Sequence, residues 1–252
     1  MRFGRLTAVV TGGGQGIGAA TCRLLAAEGA RVAVLDLDLS AAAGVAGEIE
    51  AEGGTALALG VDVEVEEAVE AAFSLIGEQM GGADILVRNA GITRDRTILR
   101  MTVEEWDQVI QVHCRGAFLC ARAAARQMAE RRRGKMVFLS STSALGNRGQ
   151  ANYATAKAGI QGLVRTLALE LGPFNVNVNA VAPGFVDTAM TRAVAGRLGF
   201  SLEDFHRQQR ERIPLGRLGQ PEDIARVIAF LCSEEASYVS GQVLYVNGGR
   251  PS

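Results

Sequence analysis

Short apolar runs alternate with longer amphipathic stretches along this chain, the pattern of strands joined by helices that cover both faces of a sheet. Leu6–Val10, Val32–Leu35, Ala56–Val61, Ile85–Val87, Met136–Leu139, Val176–Val181 and Val243–Val246 read as buried strands. Helical periodicity fits Gly16–Glu28, Ala41–Glu52, Val65–Met80, Thr102–Glu130, Ala151–Leu171 and Pro221–Cys232. The fourth helix opens on a capping box, Thr102-Val103-Glu104-Glu105, and the last on a proline suited to the first helical position. Seven strands separated by six helices predict an α/β fold with one parallel, doubly wound, seven-stranded sheet.

No linker, repeat or low-complexity block divides the chain, so residues 1–252 are expected to form a single domain. A cofactor half spans about 1–135 and a catalytic and substrate half about 136–252. One stretch breaks the rhythm. From Asp187 to Gly219 the chain carries Arg, Gln, His and Phe without a strand, and an insertion of this kind is expected to be a substrate lid, with a surface excursion as the alternative.

Composition narrows the classes of function. The chain is 48% apolar and 21% charged, enough for a sizeable core. Its 26 basic and 27 acidic residues leave a net charge of −1, which argues against nucleic-acid or membrane-surface partners. No apolar run approaches the roughly 18 residues of a spanning helix, and Met1 to Gly14 lacks the apolar region of a signal peptide. Cys22, Cys114, Cys120 and Cys232 are scattered and the chain has two histidines, so neither a disulfide framework nor a zinc site is expected. The expectation is a cytoplasmic, metal-free protein.

The chemistry begins after the first strand, with Thr11-Gly12-Gly13-Gly14-Gln15-Gly16-Ile17-Gly18. Glycines let the backbone turn tightly and approach a pyrophosphate, and the helix that follows presents free N–H groups at its positive end. The second strand ends at Asp36, about twenty residues on, where a carboxylate can accept both ribose hydroxyls of a dinucleotide. Tyr153 and Lys157, four apart, project from one helix face. A nearby ammonium favours the phenolate, so the pair is expected to bring the tyrosine pKa down from about 10 and to move a proton to or from an oxygen.

With these motifs the chain resembles the short-chain dehydrogenase/reductase family. The resemblance rests on Thr11-Gly12-x-x-x-Gly16-x-Gly18 and Tyr153-Ala154-Thr155-Ala156-Lys157, with Asn89-Ala90-Gly91, Pro183-Gly184 and Val246-Asn247-Gly248-Gly249 in order. The flavour of Gly149-Gln150-Ala151-Asn152-Tyr153 and Ala182-Pro183-Gly184-Phe185 is that of the 3-oxoacyl-(acyl-carrier-protein) reductase branch. It implies a Rossmann-like fold with cofactor held by Gly12, Gly14, Gln15, Gly16, Ile17, Gly18, Asp36, Asp62, Val63, Asn89, Ala90, Gly91, Tyr153, Lys157, Pro183, Gly184, Val186 and Thr188. It also implies that Lys157 bonds the nicotinamide ribose and that a serine fixes the substrate oxygen. Ser140 and Ser141 compete for that role. Counting back from Tyr153 gives Ser140 the family's usual separation, while counting forward along the strand favours Ser141, the choice made because a loop absorbs a deletion more easily than a strand.

Two departures stand out. Arg88 replaces the first residue of the family's Asn-Asn-Ala-Gly and is expected to point outward at the strand end. His113 replaces the asparagine of Val-Asn-Leu-x-Gly, and its ring is a candidate for the proton relay because imidazole titrates near neutrality. No Arg or Lys follows Asp36 through Ser40 to pair with a 2′-phosphate, so NAD(H) is expected over NADP(H). Arg122, Arg126, Arg131, Arg132, Arg133 and Lys135 form a basic cluster suited to an acidic carrier protein or CoA phosphates, unless they merely complement a helix C-terminus. The resemblance implies reduction of a 3-oxoacyl thioester by a homodimer or homotetramer. An NAD-dependent 3-hydroxyacyl-CoA dehydrogenase, a steroid or sugar dehydrogenase and a non-catalytic nucleotide sensor stay open.

Overall fold

In the computed structural model, which describes residues 1–197 and 201–250, seven strands form one all-parallel sheet. They are β1 Thr7–Thr11, β2 Arg31–Asp36, β3 Thr55–Gly60, β4 Ile85–Arg88, β5 Gly134–Leu139, β6 Val176–Pro183 and β7 Val243–Val246. Their order across the sheet is β3-β2-β1-β4-β5-β6-β7. The chain winds outward from β1 to β3, then returns to place β4 on the other side of β1. That reversal opens a crevice at the carboxyl ends of β1 and β4. The inner strands β1, β4 and β5 are buried along their whole length, which is why they read as unbroken apolar runs, while the edge strands β3 and β7 are half-exposed.

Successive residues of each strand face opposite layers. Val9, Leu86 and Phe138 join a core with Phe73, Leu119 and Ile160, which lie on α3 Glu66–Met80, α5 Gly116–Arg131 and α6 Ala151–Leu171. Val10, Val87 and Val137 join a second core with Leu25, Ile49 and Ile228, on α1 Gly16–Ala27, α2 Leu39–Ala51 and α9 Pro221–Cys232. Thr102 caps its helix as expected: its hydroxyl accepts from Glu105 N (3.2 Å), and the Glu105 carboxylate accepts from Thr102 N (3.0 Å).

Three expectations need correction. The single helix expected over Thr102–Glu130 is α4 Val103–Ile110, a π-helical turn Gln111–Arg115, and α5. The turn forms where the Arg88 guanidinium reaches the Val112 carbonyl and takes it out of the regular ladder. Arg88 itself does not point outward. It continues the register of Leu86 into the core and is 1% exposed. Finally, the lid contains helices: α7 Ala189–Arg197 and α8 Leu202–Glu211, while residues 198–200 of the expected lid lie outside the described residues. The lid's two ends are tied together, Asp187 N donating to the Gly219 carbonyl (2.9 Å), and Phe185 meets Phe205 of α8 edge-on at 5.4 Å.

The basic cluster at the end of α5 is not a free patch. Arg122 pairs with Glu66 and Glu70, Arg126 with Glu70, and Arg131 and Arg133 with Asp84. Arg132 donates to the Pro173 carbonyl and Lys135 to Asn177. Acids from α3 and from the loop before β4 thus pair with four of its six members, three carboxylates against four guanidiniums.

Candidate active site

The crevice predicted by the strand order is a cleft of about 600 Å³ at the carboxyl ends of the strands. The glycine loop forms its floor. Gly12 and Gly16 adopt left-handed backbone, with φ of 62° and 54°. A Cβ on Gly12 would lie 2.7 Å from Ala90 Cα, and one on Gly18 only 1.9 Å from the Gly12 carbonyl oxygen. Loop and helix therefore approach as closely as backbone allows, which is the fit a dinucleotide pyrophosphate requires at a helix N-terminus. Asn89 secures the neighbouring loop: its Nδ2 donates to the Gly12 carbonyl (2.8 Å), and both Asn89 N and Ala90 N donate to Thr11 Oγ1 (3.1 and 3.2 Å).

Asp36 stands at the end of β2, where its carboxylate is oriented by two backbone donors. Gly14 N donates to Oδ2 (2.9 Å) and Asp38 N to Oδ1 (3.2 Å). Of the residues expected to hold cofactor, all line the cleft except Gly14 and Gly18, which shape the floor from beneath. Asp62 and Val63 lie on one wall, and Val186 and Thr188 begin the lid. Leu37, Ile92, Met190 and Thr191 also line it; they carry no motif, and the sequence offers no signal for them beyond position.

On the opposite wall α6 presents Tyr153 and Lys157, with the Lys157 ammonium nitrogen 5.4 Å from the centre of the Tyr153 ring. Lys157 is 3% exposed, and its Nζ donates to the Leu139 carbonyl (2.6 Å). Burial and the like charge of Arg88 bring its pKa down to about 7. Tyr153 runs against the sequence expectation. Burial pushes its phenol up to about 12, against the opposing effect of a hydrogen bond with Ser141. The lysine does not pull the tyrosine down here, because desolvation penalises the charged form of both.

The two serines at the end of β5 separate cleanly. Ser140 turns inward: it donates to the Lys157 carbonyl (2.9 Å) and accepts from Gln161 Nε2 (3.1 Å). Ser141 faces the cleft beside Tyr153, with its hydroxyl also accepting from Ser143 N (3.1 Å). His113, on the π-helical turn, is 1% exposed, and its ring meets Tyr153 edge-on at 5.2 Å. Burial, then the charges of Lys157 and Arg88, hold its pKa well below the ordinary imidazole value. These effects disfavour the charged imidazolium and so work against the titration near neutrality that the relay reading needs. Its Nε2 contacts both the Ile92 amide (3.1 Å) and the Ile92 carbonyl (2.9 Å), while Nδ1 is buried without a partner.

Among the described residues no His, Cys, Asp or Glu cluster is placed to hold a metal ion, and no helix is long and apolar enough to cross a membrane. A family model described as enoyl-(acyl carrier protein) reductase matches residues 12–250. The chain is 45% identical over 244 residues to the short-chain reductase protein NovJ of Streptomyces niveus, covering 97% of this chain and 93% of that protein. It is 44% identical over 243 residues to the 3-oxoacyl-[acyl-carrier-protein] reductase FabG of Aquifex aeolicus (96% and 95% covered). With the FabG of Thermotoga maritima it shares 40% identity over 257 residues, covering 99% of each chain.

Proposed function

The chain belongs to the short-chain dehydrogenase/reductase family and is an NAD(P)-dependent oxidoreductase of the CH–OH/C=O couple, and from that premise we propose that it reduces 3-oxoacyl thioesters to 3-hydroxyacyl thioesters with NADH. The observation that carries this reading is Ser141, Tyr153 and the buried Lys157 brought together on the wall facing the glycine loop. When bound in the cleft, the nicotinamide supplies hydride. Tyr153 supplies the proton to the substrate oxygen, Ser141 holds that oxygen by a hydrogen bond, and Lys157 returns a proton to the tyrosine. Burial holds the phenol up to about 12, which favours its protonated, donating form.

The 3-oxoacyl substrate is inferred from the similarity to the two FabG reductases. With acetoacetyl-CoA as the probe, the protein is expected to oxidise NADH at the rate the thioester is consumed, and to leave crotonyl-CoA untouched. NADH oxidation with crotonyl-CoA alone, or with a simple cyclic ketone and not the thioester, would overturn the assignment.

The choice of NADH rests on Asp36. Its carboxylate, fixed by Gly14 N and Asp38 N, faces the cleft where a 2′-phosphate would bring like charges together. Efficiency with NADH is expected to exceed that with NADPH by at least about tenfold, a difference of about 1.4 kcal/mol. Asp36→Ala should narrow that gap, and equal use of both cofactors by the parent would contradict the role. A homo-oligomer completes the proposal, supported by Phe118 on α5 and Leu169 on α6, which are 49% and 80% exposed; sedimentation showing only a 26.5 kDa species would refute it. We propose a cytoplasmic location, supported by the scattered spacing of the four cysteines, and cell fractionation reads that directly.

A further inference from the structure

Arg88 and His113, the two departures from the family pattern, are neighbours in space. The Arg88 guanidinium is a fork with one nitrogen on each side of a junction: Nη1 donates to the Ala90 carbonyl and Nη2 to the Val112 carbonyl. It thereby fastens the loop after β4, which lines the cleft, to the π-helical turn. His113, one residue beyond Val112, fastens the same loop at its far end through Ile92. Packing leaves no slack. A Cβ on Gly91 would lie 2.4 Å from the His113 ring, and one on Gly116 would lie 2.7 Å from Arg88 Nη2.

This arrangement is costly. Among the described residues no carboxylate partners Arg88, and its Nε is buried without an acceptor. A buried cation lacking a counter-ion is among the least favourable groups a fold can hold, and such costs concentrate at functional sites. The charge also acts on the catalytic wall. The groups around Lys157 are Tyr153 on its own helix, His113 and Cys114 on the π-helical turn, and Arg88 on β4; the neighbouring strand β5 offers the neutral Leu139 carbonyl, with Ser140 following it. Asp95 acts on Tyr153. Arg88 is the one permanent positive charge in this set.

We propose that Arg88 is a positioning residue for the proton-transferring pair: it clamps the cleft-lining loop to the π-helical turn and keeps a fixed positive charge beside Lys157. The consequence is a lysine that both accepts and releases a proton near neutrality, since its ammonium form is opposed by burial and by a like charge. The inference rests on the assignment of Tyr153 and Lys157 as that pair.

The test uses an accident of composition. The chain holds two lysines, Lys135 and Lys157, so lysine labelled with carbon-13 at Cε gives two side-chain signals in the cofactor-free protein. Lys157 is expected to titrate near 7 in the parent. In Arg88→Met and Arg88→Gln, both neutral, its midpoint should rise by about one pH unit. Both variants also lose the two carbonyl contacts of the guanidinium, so cofactor binding should weaken severalfold. The pH limb of kcat should follow the Lys157 midpoint in each variant. A Lys157 midpoint unmoved in the folded neutral variants would overturn the proposal. Failure of the catalytic assignment reads differently: Tyr153→Phe would then keep its turnover whatever the lysine signals do.

Discussion

Tyr153→Phe is expected to turn over substrate at least about a thousandfold more slowly than the parent while binding cofactor with nearly unchanged affinity. The substitution removes one oxygen and leaves the ring, so the edge-on contact with His113 at 5.2 Å survives and the cleft keeps its shape. What disappears is the acidic proton that the proposed mechanism delivers to the substrate oxygen. Ser141 does not replace it, because an aliphatic hydroxyl is a far weaker acid than a phenol and is itself engaged with Ser143 N. Lys157 does not reach past it, being held on the Leu139 carbonyl deeper in the wall. Single-turnover kinetics with a fluorescence titration of cofactor separates the two effects. Turnover within tenfold of the parent would remove Tyr153 from the chemistry.

Gly18→Ala should disable the other half of the site. Its Cβ would lie 1.9 Å from the Gly12 carbonyl oxygen and 2.7 Å from Asn89 Nδ2. The first of these is backbone, so the loop must move as a whole and the Asn89–Gly12 hydrogen bond of 2.8 Å must lengthen or break. The expected cost is about 1–3 kcal/mol of stability, together with loss of measurable cofactor binding at concentrations that saturate the parent. Gly44→Ala on α2 is the matched control. That glycine has nothing within 4 Å of its would-be Cβ, so the substitution should stabilise the helix by about 0.5–1 kcal/mol and leave binding unchanged. Thermal unfolding and titration of both variants decide the matter; unimpaired binding by Gly18→Ala would show that the close approach is not needed.

The strands and most helices were legible because a doubly wound sheet buries both faces of its inner strands, and burial writes itself as continuous apolar runs such as Ala8 to Val10 and Ile85 to Val87. Arg88 was misread for want of the same rule. Residues two apart in a strand share a face, so Leu86 in the core already placed Arg88 there. The ion pairs of the basic cluster were hidden for a different reason: its acidic partners Glu66, Glu70 and Asp84 lie far away in sequence, where local counting does not look. The lid helices were hidden because α8 is short and polar, with Phe205 as its buried residue. The serines could be ranked by spacing, but only the fold shows Ser140 bonded to the back of α6 and Ser141 open to the cleft. The direction of the Tyr153 shift was illegible in principle, since desolvation depends on what surrounds the phenol in three dimensions.

The central claim is that this cleft joins hydride transfer to carbon 3 with proton donation to the oxygen it carries. The most direct measurement uses NADH deuterated at both C4 positions with acetoacetyl-CoA, and reads the position of the label in the product by mass spectrometry and NMR. One deuterium at carbon 3 of 3-hydroxybutyryl-CoA is the predicted result. Bound NADH with no labelled product, or deuterium at any other carbon, would contradict it.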